Sequence, residues 1–223
     1  MSLEHVSFRS GDTHCAADLY LPEKMTALVP GIVMGHSMMM VKEALAPHAA
    51  YLVNAGFAVL GIDYRSIGSS GGEVRCQVFP ERQVEDVPNA VSYLATRSQI
   101  DPNRIGAWGH SVGGGVAIMA GVLDRRIKCV ACQNPSMLDA WTAFEKMRGR
   151  FGIAMVRQVA IRDWEQRFTT GKGIMAPGLG ADDQKVSEYA AQAVELYPTF
   201  RNGGPLVFVW GCVAANYAGH EAC

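Results

Sequence analysis

Neither sign of charge prevails in this chain: 20 Lys and Arg stand against 21 Asp and Glu over 223 residues. Without a cationic excess, little is present to neutralise a phosphate backbone or an anionic bilayer, so no nucleic-acid partner is expected. No apolar run approaches the roughly 18 residues needed to cross a bilayer, and no membrane span is expected either. The opening MSLEHVSFRSGD is polar and alternating, unlike a secretory signal, which predicts a cytoplasmic protein. The six cysteines, at 15, 76, 129, 132, 212 and 223, lack framework spacing. Cys129 and Cys132 form a C-x-x-C, but inside the strand-like run KCVACQ, where residues three apart face opposite ways. They read as buried free thiols rather than as metal ligands or a redox pair. No G-x-G-x-x-G occurs, and no lysine follows Gly113-Gly114-Gly115 as a P-loop requires. No metal or cofactor is expected.

What is present is a chain about half hydrophobic and long enough for one sizeable α/β domain. Leu3 to Phe8 alternates, Gly11-Asp12 turns and Cys15 to Leu21 extends again, which predicts an antiparallel hairpin. Pro30 precedes a short core strand, Ile32 to Met34, that runs into Gly35-His36-Ser37-Met38. Leu45, Ala49, Leu52 and Val53 recur at helical spacing before Gly56, and a buried strand follows over Phe57 to Ile62. The next helix carries Val84, Val87, Val91 and Leu94. Pro88 predicts either a kink there or a start near Val87. Asp101-Pro102-Asn103 reads as a turn into the next strand, and Lys128 to Gln133 reads as the strand after the following helix. Alternation of this kind predicts a doubly wound, mostly parallel sheet with helices on both faces. From Ser136 to Arg201 the pattern turns helical, around Trp141 to Arg148, Phe151 to Phe168 and Asp182 to Leu196. The expected division is a core of 1–135 and 203–223 with a helical cap insertion over 136–202.

The stretch on which a function can be read is Arg104 to Gly121, RIGAWGHSVGGGVAIMAG. A short strand, Ile105 to Trp108, runs into Gly109-His110-Ser111-Val112-Gly113 and then into an apolar helix reaching about Leu123. A serine at a strand-to-helix corner with glycine two residues to either side fits the G-x-S-x-G nucleophile elbow. A turn that tight strains the serine backbone and brings the flanking positions against neighbouring backbone, where a β-carbon would clash. The hydroxyl is thereby raised over a helix N-terminus, whose amides favour an oxyanion. The plain alternative is a flexible or phosphate-binding glycine turn.

With the elbow, the Gly35-His36 loop, the stretch Asp63-Tyr64-Arg65…Gly68…Gly71-Gly72 and this element order, the chain resembles the α/β-hydrolase superfamily. Residues 1 to about 202 resemble its dienelactone-hydrolase-like branch. The runs GHSMMMVKEALAPHA, CQVFPERQVEDV, GHSVGGGVAIMAGVLDRRIKCVACQNPSMLDAW and AVELYPTFRN are similar to fungal polyketide transferases and thiohydrolases. The resemblance implies an acyl-serine enzyme of secondary-metabolite biosynthesis, acting on an acyl thioester or ester. The donor would be a polyketide synthase carrier domain, and the acyl group would pass to water or to an alcohol. It also implies an oxyanion hole made by the amides of Met38 and Val112. The loop around Met38 is otherwise an ordinary strand-to-helix connection with methionines as core filler.

The superfamily order is Ser, acid, His. His220 is the one histidine after Ser111, and Asp139 is the best-placed acid, although Asp139 also suits a helix N-cap. His36 and His110 flank the elbow and could assist, although that order disfavours both, while His5, His14 and His48 carry no expected role. The family pattern continues past the cap with two further strands and a closing helix. Here the last strand and helix are expected to be missing, the part after the cap being truncated or divergent. Two other readings therefore stand beside the acyl-transfer enzyme: a catalytically impaired acyl-binding protein on the same scaffold, and a small-ester or lactone hydrolase.

Overall fold

The computed structural model describes residues 1–38, 40–73, 75–136, 157–158 and 160–172. Strands β1 (Ser2–Ser10) and β2 (Thr13–Leu21) pair antiparallel as the alternation predicts, with Gly11 at φ 58 between them. The chain then runs through β3 (Val29–Gly35), a 3-10 turn (Lys42–Leu45), α1 (Ala46–Asn54), β4 (Ala58–Ile62) and α2 (Pro80–Ala95). It closes with β5 (Ile100–His110), α3 (Val112–Leu123) and β6 (Ile127–Gln133). Residues 160–170 are helical, inside the helix expected over Phe151 to Phe168 and two residues beyond it. Most of the expected cap, and the final segment 203–223, lie outside the described residues.

The sheet order is β1-β2-β4-β3-β5-β6, with β3, β4, β5 and β6 parallel and the hairpin antiparallel to β4. β4, AVLGI, is buried along its whole length, as a strand covered on both faces must be. Leu45, Ala49 and Val53 pack over Tyr20, Met34 and Val59 on one face. On the other, Val87, Ala90, Val91 and Leu94 of α2 and Val116, Ala117 and Ala120 of α3 join the main core.

Asp101 to Asn103, expected as a turn, lie within β5. Of the two expectations for α2, a kink at Pro88 or a start near Val87, the second is overturned: the helix begins at Pro80, with Pro88 inside it. Pro80 sits in the first turn, where its missing N–H costs nothing. An interior proline costs about 3 kcal/mol, whereas burying Val87, Val91 and Leu94 returns about 1.5–3 kcal/mol each. The core therefore carries the helix through. Cys129 is exposed rather than buried, because β6 is the outermost described strand of the sheet.

An ion pair fastens the loop after β4 to the helical face. Arg65 donates from its backbone N to Asp86 at 2.9 Å and from Nε at 2.6 Å, and also reaches Glu85 and the Arg82 carbonyl. Ser10 Oγ donates to the same wholly buried Asp86 at 2.6 Å, which ties β1 into the cluster. With these hydrogen bonds in place, neither charge is left buried without a partner.

The topology also locates the site. From β3 the chain winds one way to β4, then crosses back through α2 to β5 on the other side of β3. β3 and β5 thus flank a switch point, and the loops leaving their carboxyl ends diverge around a crevice of the kind in which α/β sheets bind ligands.

Candidate functional site

Gly35 of β3 stands directly across from Gly109 of β5, so the two loops that matter leave the sheet side by side. Beyond Gly109, Ser111 adopts φ 53 and ψ −117 before α3 begins at Val112. That conformation is sparsely populated by any residue with a side chain, and it persists because the surroundings over-determine it. The Ser111 N–H donates to the Gln133 carbonyl at 2.9 Å. The Ser111 carbonyl accepts from Gly114 at 3.0 Å, Gly115 at 3.2 Å and Ser136 at 2.9 Å.

Both flanking glycines are required by close backbone. A β-carbon on Gly113 would lie 2.5 Å from the carbonyl oxygens of Gly35 and His36. One on Gly109 would lie 2.6 Å from the Gly114 nitrogen and overlap the Gly113 carbonyl. The corner and the β3 loop are thus in direct backbone contact. Ser111 is partly exposed, and although it precedes a helix its hydroxyl makes no capping bond. It lies instead 3.4 Å from the Ser136 hydroxyl. Val112, as first residue of α3, has an N–H without an intrahelical acceptor. Met38 lies on the turn after β3 with its side chain exposed. Asp139 and His220 lie outside the described residues.

Behind the β3 loop His36 meets a buried carboxyl, a contact that sequence reasoning missed. His36 is buried, and its Nδ1 lies 2.7 Å from the Ser37 carbonyl, which as an acceptor requires the proton on Nδ1. Its Nε2 has no hydrogen-bond partner among the described residues and stands 3.9 Å from Asp63 Oδ1. Burial drives the imidazole down to about 4, so it is neutral and the approach is a polar contact rather than an ion pair. Asp63, wholly buried, accepts from the amides of Lys42 at 2.7 Å and Ser69 at 2.9 Å. Burial raises its carboxyl from 3.8 to about 6, against the lowering effect of those amides and of Lys42. Asp63 thereby ties the Lys42 end of the loop that carries Met38 to the loop after β4.

The two titrations have opposite signs. His36, depressed from 6.5, contributes stability that is present above pH 6.5 and lost as pH falls towards about 4. Asp63, raised from 3.8, contributes stability that is present below pH 3.8 and lost as pH rises through about 6. In the wild type these slopes oppose each other. Asp63→Asn removes one, so urea midpoints of the variant are expected to fall more steeply than wild type on acidification from about pH 6.5 to 4.5. Parallel curves for the two proteins would contradict this.

His110, which could assist the elbow, and His48, which has no expected role, line a cavity of about 30 Å³ with Ser37, Met40, Leu45 and Trp108 at the carboxyl ends of β3 and β5. His48 packs on the Trp108 ring at 5.1 Å between centroids. Burial lowers both histidines, His110 further through the neighbouring His48, which favours neutral imidazoles beside the corner.

Comparison with known proteins places these features in context. The BD-FAE family profile matches residues 17–160. A quorum-quenching protein of Acinetobacter baumannii is 37% identical over 173 residues, which cover 77% of this chain and 56% of that protein. A polyketide transferase of Stachybotrys chlorohalonatus is 34% identical over 185 residues, covering 82% and 59%. Other curated relatives carry the names thiohydrolase and acyltransferase. The crystal structure of a hypothetical protein from Pseudomonas aeruginosa superposes with a TM-score of 0.64 at 27% identity, covering 75% of this chain and 55% of that one. The chain spans between about a quarter and three fifths of the length of the curated relatives it matches.

Proposed function

The chain belongs to the BD-FAE family, of the α/β-hydrolase type, and on that premise we propose that it is a serine-dependent acyl-transfer enzyme. In this reading Ser111 attacks a thioester or ester carbonyl, an acyl-serine forms, and water or an alcohol takes the acyl group. A free hydroxyl is a weak nucleophile near neutral pH and needs a base. Superfamily order assigns that role to His220, with Asp139 as its acid. The amides of Val112 and Met38 hold the oxyanion. The substrate is an acyl, polyketide-type thioester or ester, with a carrier domain as the donor partner, and residues 136–202 form a cap over the crevice.

The observation that carries the reading is Ser111 itself. Its hydroxyl is partly exposed at a sheet switch point, held at φ 53, and not used to cap the helix it precedes. The relatives named thiohydrolase, acyltransferase and polyketide transferase support acyl chemistry on this scaffold. The test is turnover of short nitrophenyl esters and of carrier-bound acyl thioesters by wild type and Ser111→Ala. Thioester cleavage that vanishes in the variant is expected. Activity on short esters alone would select a small-ester hydrolase, and binding of acyl mimics without turnover would select an impaired acyl-binding protein.

A further inference from the structure

The turn that follows β6 is built around the corner serine. Asn134 adopts φ 50, a left-handed conformation open to asparagine, and this doubles the chain back towards β5. Gln133 then accepts from the Ser111 N–H and Ser136 donates its N–H to the Ser111 carbonyl, each at 2.9 Å. Residues 133–136 thus grip the backbone of residue 111 from both sides. Behind them, a β-carbon on Gly114 would lie 3.1 Å from Pro135, so the turn is packed down on the start of α3. One result of this grip is that Ser136 Oγ is brought to 3.4 Å from Ser111 Oγ.

We propose that Ser136 is a second hydroxyl of the reaction centre, which orients the Ser111 hydroxyl at rest and donates its O–H to Ser111 Oγ as charge develops there. The proposal rests on Ser111 as nucleophile. In acylation the Ser111 O–H bond breaks, its proton passes to the general base, and an Oγ–C bond forms as the carbonyl electron pair moves onto oxygen. That pair then returns, the C–S or C–O bond to the leaving group breaks, and the leaving group takes the proton from the base. The Ser136 O–H stays intact throughout and only hydrogen-bonds. In deacylation water or an alcohol gives its proton to the base and bonds to the acyl carbon. The Oγ–C bond then breaks and its electron pair returns to Oγ, where the same donor waits until the base delivers that proton. A contact of 3.4 Å between neutral hydroxyls is long. Hydrogen bonds to a charged oxygen are shorter and stronger, so the Ser136 contribution is largest in the transition state. This is the differential stabilisation that catalysis requires.

A purely structural turn predicts something different. The Ser136 N–H that clamps residue 111 survives any substitution of the side chain, so a structural role leaves the hydroxyl without effect. The experiment is the rate of labelling of the full chain by a fluorophosphonate in wild type, Ser136→Ala, Ser136→Val and Ser136→Thr, with thermal midpoints for each. Threonine and valine have nearly the same shape and differ in the hydroxyl. The expected result is labelling about tenfold slower or more in the Ala and Val variants, with Thr close to wild type. Equal rates for Val and Thr would overturn the role of Ser136 while leaving Ser111 intact. Should both branched variants fail to fold, wild type against Ser136→Ala decides: equal rates overturn the proposal and a slower Ala variant supports it. No labelling of folded wild type would remove Ser111 as the nucleophile and Ser136 with it.

Discussion

Ser111→Gly is expected to abolish acyl-enzyme formation, to lower turnover by about ten-thousandfold or more and at the same time to stabilise the fold by about 1 kcal/mol. The first effect follows from loss of the attacking oxygen, for which residual binding and oxyanion contacts do not substitute. The second follows from the backbone. At φ 53 and ψ −117 a residue with a β-carbon stores about 1–3 kcal/mol of strain, which glycine relieves. Part of the gain, about 0.5–1 kcal/mol, is offset by the greater freedom glycine has in the unfolded chain. Urea melts and fluorophosphonate labelling on the same samples check both signs. A variant that is inactive and also less stable would mean that contacts of the serine side chain outweigh the strain, contrary to a corner held for chemistry.

Gly109→Ala is expected to have the largest effect on stability, a loss of more than about 4 kcal/mol or failure to fold. The added methyl would overlap the Gly113 carbonyl and lie 2.6 Å from the Gly114 nitrogen. These are backbone atoms in the first turn of α3, so no rotamer change relieves the contact. Gly113→Ala meets the same obstacle at 2.5 Å from two carbonyls and is expected to push the β3 loop, with its Met38 amide, away from the corner. Gly56→Ala serves as the control. Gly56, unlike the elbow glycines, has positive φ, at 92, and no atom of the described residues lies within 4 Å of the added carbon, so only local strain of about 1 kcal/mol is expected. Thermal midpoints of the three variants separate steric overlap from backbone strain. Equal losses for Gly109 and Gly56 would show that the overlap at Gly109 relaxes locally, contrary to a glycine required there by close backbone approach.

These two results probe features that are visible in the sequence because their causes are local. A tight strand-to-helix corner imposes its glycines within two residues of the serine, so GHSVG announces the turn before any tertiary contact is known. The alternation of apolar runs with helical periodicity likewise announces a parallel sheet, since short connections leave few other packings. Other features depend on contacts across the fold. Ser136 meets Ser111 only because Asn134 turns left-handed and β6 pairs with β5, and neither fact has a marker in QNPS. His36 and Asp63 are 27 residues apart and meet because β3 and β4 are neighbours. The start of α2 was obscured by Pro88, whose local cost is overridden by burial of Val87, Val91 and Leu94. Cys129 reads as buried in an apolar run, yet its exposure depends on β6 being the outermost described strand. Asp139 and His220 lie outside the described residues, so their roles stay with the proposal.

The central claim is that residue 111 presents a reactive hydroxyl at the sheet switch point. The most direct measurement is peptide mapping by mass spectrometry after the folded wild-type chain has reacted with a fluorophosphonate. A single adduct on Ser111, absent after heat denaturation and absent in Ser111→Ala, is the predicted result. No adduct on the folded chain, or one on another residue that persists in Ser111→Ala, would contradict it.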